Sequence, residues 1–277
     1  MGQTRPIGVF DSGIGGLTVL AALRRRLPNE HFVYFGDTAR VPYGIKSTLT
    51  VRRYSHQNAV FLRRFNPKLV CVACNTATAA GLDVVTDVVG VPVVGVVEPG
   101  SRRAVQDCPD GAIGIIATES TIASRCYYRA IRALRPQAEL WEKACPLLVP
   151  MVEEGRDCDD PLVLAAVAEY LAPLRQRVGS LVLGCTHYPL LKDALARVMG
   201  PGVRLVDSAE EVAGEVARVL ENQGALASDG PGTVTCYVSD NPDRFRAIGQ
   251  RFMGTPLRDV TLVEPEEFFQ GGQTGGF

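Results

Sequence analysis

The sequence predicts an α/β protein with mainly parallel sheets, and one whose plan occurs twice. Short apolar runs rich in Val and Ile alternate along the chain with segments of helical periodicity. The runs are nearly continuous rather than alternating, which is the pattern of parallel strands buried on both faces. Pieces of the first half also reappear in the second at nearly one offset, about 110 residues. Ile7-Gly8-Val9-Phe10 returns as Ile113-Gly114-Ile115-Ile116. Val72-Ala73-Cys74-Asn75-Thr76 returns as Leu183-Gly184-Cys185-Thr186-His187, and Val93–Glu98 as Val203–Ser208.

The strands expected in order are Ile7–Phe10, Phe32–Phe35, Leu69–Ala73, Val93–Val97, Ile113–Ile116, Leu181–Leu183, Val203–Val206 and Thr233–Val238. Between them, Leu17, Leu20, Leu23 and Leu27 mark one apolar helix face that Pro28 closes. Val51, Tyr54, Phe61, Leu62 and Phe65 mark a second. Val167, Leu171, Leu174 and Val178 mark a third, and Leu191, Ala194, Leu195 and Val198 a fourth. Linkers are expected near Pro99-Gly100 and Asp207-Ser208. They divide the chain into a first unit of residues 1–99 plus 209–277 and a second of residues 100–208. The segment from about 209 onward carries its own helix, strand and helix, and is expected to pack back on the first half. The Gly-rich tail from Gln270 to Phe277 is expected to fray.

With 29 basic residues against 30 acidic ones, the net charge is −1, so no global field points to nucleic acid or to an anionic membrane. Arg24-Arg25-Arg26, Arg52-Arg53 and Arg63-Arg64 read as solvated helix faces. Apolar runs are cut by Gly, Pro or charge well short of a membrane span. Eight cysteines in a chain whose first strand begins at Ile7, with no export signal before it, argue for reduced thiols in a cytoplasm.

Four places carry candidate chemistry. Asp11-Ser12-Gly13 ends the first strand and Gly13-Ile14-Gly15-Gly16 opens a helix. Its amides and dipole suit an anionic group, while Asp11 can bind an ammonium or hold a thiol's proton. An ordinary N-cap by Asp11 or Ser12 explains the same residues equally well. The glycine spacing is not a dinucleotide fingerprint, and there is no Walker P-loop. Cys71 and Cys74 form a C-x-x-C, but no second pair or histidine cluster supports zinc or redox use, and Cys71 reads as core. Cys74 and Cys185 each stand at a strand's carboxyl end before a helix, where α/β folds place ligands and where a thiol's pKa falls. His187, two residues beyond Cys185, can hold or shuttle its proton. Thr118, Thr121 and Ser124 follow the Ile113–Ile116 strand as Asp11-Ser12 follows the first. They can bind a carboxylate or merely cap a helix. Val41-Pro42-Tyr43-Gly44 is a turn by composition. Two thiols on paired scaffolds can face one carbon from opposite sides.

At these residues the chain resembles the glutamate racemases of the cofactor-independent aspartate/glutamate racemase superfamily. The resemblance runs from about Ile7 to Ala213. It includes Phe10 through Leu17, Gly36 through Gly44, Ala73-Cys74-Asn75-Thr76-Ala77, Ala117-Thr118 through Ser124, Val149 through Gly155, and Leu183 through Pro189. Cys71 stands where an aliphatic residue is usual. The resemblance implies two flavodoxin-like domains related by a pseudo-twofold axis, with the active site in the cleft between them. It implies Cys74 and Cys185 as the two bases, Cys74 for D-glutamate and Cys185 for L-glutamate, with Asp11 assisting Cys74, and His187 and Glu153 assisting Cys185. Substrate contacts come from Ser12, Pro42, Tyr43, Gly44, Asn75, Thr76, Thr118, Thr121 and Thr186, and from Asp11, Cys74, Cys185 and His187 themselves. Glutamate is the substrate, no cofactor or metal is needed, and the assembly is a homodimer. D-Glutamate for peptidoglycan is the product. Rival readings are an aspartate or hydantoin racemase, a two-lobed binding protein, and a thiol redox protein using Cys71 and Cys74.

Overall fold

The computed structural model describes residues 5–228 and 230–264. The expected fraying of Gln270–Phe277 lies outside the described residues. In chain order the elements are β1 (Ile7–Asp11), α1 (Leu17–Arg26), β2 (Phe32–Gly36), α2 (Thr48–Arg63), β3 (Leu69–Val72), α3 (Asn75–Val89), β4 (Val93–Gly95) and α4 (Val97–Asp107). They continue with β5 (Ile113–Ala117), α5 (Glu119–Ala123), α6 (Cys126–Leu134), β6 (Leu140–Ala144), α7 (Leu148–Glu153), α8 (Pro161–Leu171), β7 (Ser180–Gly184) and α9 (Lys192–Met199). Last come β8 (Arg204–Asp207), α10 (Ser208–Asn222), β9 (Val234–Val238), α11 (Pro242–Met253) and β10 (Val260–Leu262).

Two sheets result, one ordered β10-β9-β2-β1-β3-β4 and one ordered β6-β5-β7-β8. The last four strands of the first repeat the order of the whole second, so β1 matches β5 and β3 matches β7. Every recorded pairing is parallel. The strands β1, β2, β3, β5 and β7 are buried along their whole length, as their unbroken apolar runs require. The returning chain adds β9 beside β2, and α10 and α11 pack on α1.

Four expectations change. The strands β6 and β10 escaped the sequence reading because both are edges. Leu140-Trp141-Glu142-Lys143-Ala144 is half-buried throughout and carries two charges, and β10 has three residues. The run Val93–Val97 leaves the sheet at Gly95, and Val97 opens α4. Pro99 and Gly100 are therefore not a linker but part of α4's first turn, where proline is tolerated. Gly100 is there for close approach, since a Cβ would sit 3.2 Å from Ser208 Cβ. The helix of Val167 and Leu171 stops at Leu171, although Leu174 and Val178 are buried beyond it. Asp207-Ser208 is a direct strand-to-helix joint, in which Asp207 Oδ1 accepts from Ala209 N at 2.9 Å and caps α10.

The segment after α10 is tied down by a buried ion pair. Lys68 Nζ lies 2.6 Å from Glu30, with side chains 4% and 2% exposed. Lys68 also donates to Ala225 O at 2.6 Å, and Glu30 accepts from Ala227 N at 2.8 Å. Lys68→Met strands the Glu30 carboxylate in the core, and the expected loss is about 3–5 kcal/mol in urea unfolding. Lys68→Met with Glu30→Gln should lose much less than the two single changes combined. Additive losses would show that the two charges do not act as a pair.

Candidate active site

The loops at the carboxyl ends of β1, β3, β5 and β7 converge on a cavity of about 290 Å³, within reach of both sheets. Ser12, Pro42, Tyr43, Gly44, Cys74, Asn75 and Thr76 reach it from the first sheet's loops. From the second sheet's side come Thr118, Glu153, Cys185, Thr186 and His187. Two expected residues lie behind the wall instead. Asp11 is buried under the β1 loop. Thr121 is buried behind Thr76 and Thr118, and the three hydroxyls are bonded to one another at 2.9–3.1 Å. Tyr43 lines the cavity with its hydroxyl turned away, donating to Asp37 and accepting from Asn58 Nδ2 at 3.2 Å.

Cys74 is the N-cap of α3, with extended backbone, and its sulfur accepts from Ala77 N at 3.4 Å. The thiol donates to Ser12 Oγ at 3.7 Å. The expected drop in pKa at this helix start does not occur. Burial, then the Asp11 carboxylate, push the thiol up to about 12 against the amides of Ala77 and Ser12. A helix terminus lowers a thiol's pKa only when it outweighs the desolvation that comes with a closed site.

Asp11 does not cap α1. Gly16 holds that position without a side-chain bond, and Asp11 Oδ2 accepts from Gly13 N at 2.9 Å. Its other oxygen is buried without a hydrogen-bond partner. Burial raises the Asp11 pKa, countered by His187 and the Gly13 and Gly16 amides. Asp11 thus acts on Cys74 through its field, while Ser12 makes the contact.

Around Cys185 the order is sulfur, imidazole, carboxylate. Cys185 Sγ lies 3.8 Å from His187 Nδ1, and His187 Nε2 lies 3.0 Å from Glu153 Oε1. The edge-on ring of Phe252, 5.3 Å away at 84°, packs against the imidazole. Burial opposes the imidazolium, but the Cys185 sulfur and Glu153 carboxylate outweigh it and lift His187 to about 10. Burial likewise raises Glu153, and His187 and Arg244 reverse this, so its carboxyl is held below the usual range. Glu153, half-buried at the end of α7, is the outer end of the relay.

That relay has a pH signature. The folded value of about 10 lies above the ordinary 6.5, so the stabilisation is complete below about pH 6.5 and is lost as pH rises through 10. The stability gap between the parent and His187→Asn is expected to shrink from pH 6.5 to pH 10 in urea titrations. A gap that stays constant over that range would contradict the relay.

Several lining residues escaped sequence reading. Val149 and Pro150 stand one helical turn before Glu153 on α7 and were findable from that spacing. Pro146 follows the unrecognised β6. Behind the lining, Arg244, 3.9 Å from Glu153, and Phe252, packed on His187, come from α11, with no local signal in the sequence. Among the described residues, no cluster of three or more His, Cys, Asp or Glu side chains can hold a metal ion. No helix among them is long and apolar enough to cross a membrane.

The Asp/Glu/hydantoin racemase family model matches residues 8–216. This chain belongs to that family. It is an amino-acid racemase, an isomerase. Glutamate racemase of Chlorobaculum tepidum is 47% identical over 93% of this chain and 96% of its own length. The structure of Thermus thermophilus glutamate racemase with β-chloro-D-alanine superposes at a TM-score of 0.87, with 48% identity over 96% of this chain and 99% of that one. The Francisella tularensis glutamate racemase, in complex with D-glutamate, superposes at 0.89 with 36% identity, over 94% and 98%. The family's two-domain racemase fold accounts for the repeated strand order.

Proposed function

We propose that this racemase interconverts L- and D-glutamate without a cofactor, using Cys74 and Cys185 as bases on opposite faces of the α-carbon. The observation that carries the reading is that both thiols follow matching strands, β3 and β7, and line one cavity, each with its own proton-handling partners. Thiolate on one side removes the α-proton, and the thiol on the other side returns one. Cys74, whose thiol burial holds protonated, is poised as the donor. An incoming substrate ammonium near Asp11 offsets the negative field that holds this thiol protonated, which lets Cys74 act as base in the other direction. His187, an imidazolium at neutral pH, holds Nδ1 3.8 Å from the Cys185 sulfur, placed to exchange a proton with it.

The carbanion is the difficult species. Donors around the substrate carboxylate must hold the negative charge that develops there. Thr76 at the start of α3, with the Thr118 and Thr186 hydroxyls opposite, is suited to that work, and the Asn75 amide binds the carboxylate in ground and transition state alike. A closed site and fixed positions supply the rest of the rate. The units 1–99 plus 209–277 and 100–208 are proposed to act as the two jaws of the cleft. D-Glutamate supply for peptidoglycan, a cytoplasmic setting and a homodimer complete the reading.

Circular dichroism of L-glutamate should decay to zero with protein dialysed against chelator and no added cofactor. Activity restored only by pyridoxal phosphate or a divalent metal would refute the mechanism. Aspartate should turn over on the order of 10–100-fold more slowly, since the shorter diacid leaves buried donors unpaired at about 1–3 kcal/mol each. Comparable turnover would make this an aspartate racemase.

A further inference from the structure

One buried tyrosine touches both cysteine motifs. Tyr127, on α6 of the second sheet's side, is 1% exposed. Its hydroxyl donates to Asn75 Oδ1 at 2.6 Å, across 52 residues of sequence, and so reaches the residue after Cys74. Its ring lies behind Gly184, the residue before Cys185, where an added Cβ would come 3.1 Å from Tyr127 Cε2. Ser208, the first residue of α10, stands beside the tyrosine: a Cβ added at Gly100 would lie 3.2 Å from Ser208 Cβ and 3.7 Å from Tyr127 Oη.

The direction of the bond to Asn75 matters. An amide side chain can present either its oxygen or its NH2 to a cavity, and the two faces have opposite effects on a carboxylate. A carbonyl oxygen can only accept, so it is the tyrosine's own proton that is directed to Asn75 Oδ1. Burial raises the Tyr127 pKa well above the ordinary value, which keeps that proton in place. Asn75 lines the cavity, and its Nδ2, buried, has no hydrogen-bond partner in the protein. A buried unsatisfied donor facing a cavity is costly unless a ligand meets it.

We propose that Tyr127 is a positioning residue that locks the Asn75 amide with its NH2 aimed at the substrate carboxylate. The proposal rests on the reading of Asn75 as a substrate donor. Tyr127 makes no contact with the reacting atoms and acts through Asn75 alone. Because it sits on the opposite half of the molecule from Asn75, the donor is correctly aimed only when the two halves are in register.

The test is a double-mutant cycle on the full chain, following racemisation of both glutamate enantiomers, with thermal unfolding of each variant. Tyr127→Phe keeps the ring and its packing and removes only the hydroxyl. It is expected to raise KM about three- to tenfold, the effect of one lost hydrogen bond, with kcat held within about twofold. The factor in kcat/KM must be the same for both enantiomers, because they have equal free energy. In an Asn75→Ala background the same substitution should change KM less than about twofold. An equal penalty from Tyr127→Phe in both backgrounds would overturn the positioning role. So would an unchanged KM in Tyr127→Phe beside a raised KM in Asn75→Ala. An unchanged KM in Asn75→Ala itself would instead overturn the reading of Asn75 as a donor.

Discussion

Cys74→Ser and Cys185→Ser are each expected to lose racemisation by roughly 10²–10⁴-fold or more, the scale of a positioned acid–base group. An alcohol is far too weakly acidic to replace thiolate in removing an α-proton. Both sulfurs are buried against neighbours that a serine oxygen also fits, so the fold should survive, which near-ultraviolet dichroism can check. The two losses are expected to differ in kind. The family resemblance pairs Cys74 with D-glutamate and Cys185 with L-glutamate. With a glutamate analogue bearing a leaving group on the β-carbon, elimination needs only the base that removes the α-proton. Cys74→Ser should still eliminate from the L-analogue, and Cys185→Ser from the D-analogue. Loss of both eliminations in one folded variant would show that the bases are not independent. Racemisation by Cys74→Ser near the parent rate would remove the two-thiol mechanism.

Gly15→Ala is expected to lower kcat by about 10²-fold while the protein stays folded. A methyl group there would stand 2.2 Å from Thr186 Oγ1 and 2.5 Å from His187 Nδ1. His187 cannot simply step aside, because Glu153 holds its far nitrogen at 3.0 Å and Phe252 packs on its ring. The imidazole must then move relative to Cys185, and displacements of about 1 Å cost about that factor. Gly214→Ala is the matched control. An added Cβ in the middle of α10 meets nothing within 4 Å, so it should leave activity unchanged and stabilise by roughly 0.5–1 kcal/mol. Full activity in Gly15→Ala would mean that the β1 loop and the Cys185 motif are not pressed together during turnover.

Much of the site was legible in the chain because its signals are local. A thiol after an apolar strand and before a helix is a pattern of a few residues, and its recurrence at one offset locates both Cys74 and Cys185. The same holds for the Ser12 and Thr118 turns, whereas Pro42-Tyr43-Gly44 reads by composition only as a turn and is tied to the site by the resemblance. What misled was chemistry that depends on burial. The helix start beside Cys74 promised a lowered pKa, and desolvation reversed it. Nothing in the sequence tells the adjacent acids Glu153 and Glu154 apart, and one of them is the partner of His187.

The central strands and most helices follow from sequence alone, since continuous apolar runs and 3.6-residue periodicity state which surfaces must leave water. The doubled plan and the two cysteine motifs follow in the same way. Edge strands β6 and β10 do not, because their residues are half-solvated and only pairing with β5 and β9 makes them strands. Nor do the contacts that set the chemistry. Tyr127 with Asn75, His187 with Glu153, and Arg244 with Glu153 join residues far apart in the chain. Local propensity carries no information about such pairs. They exist because two stacked sets of βα units bring their strand ends to one cleft, and only that packing decides which protons and charges meet.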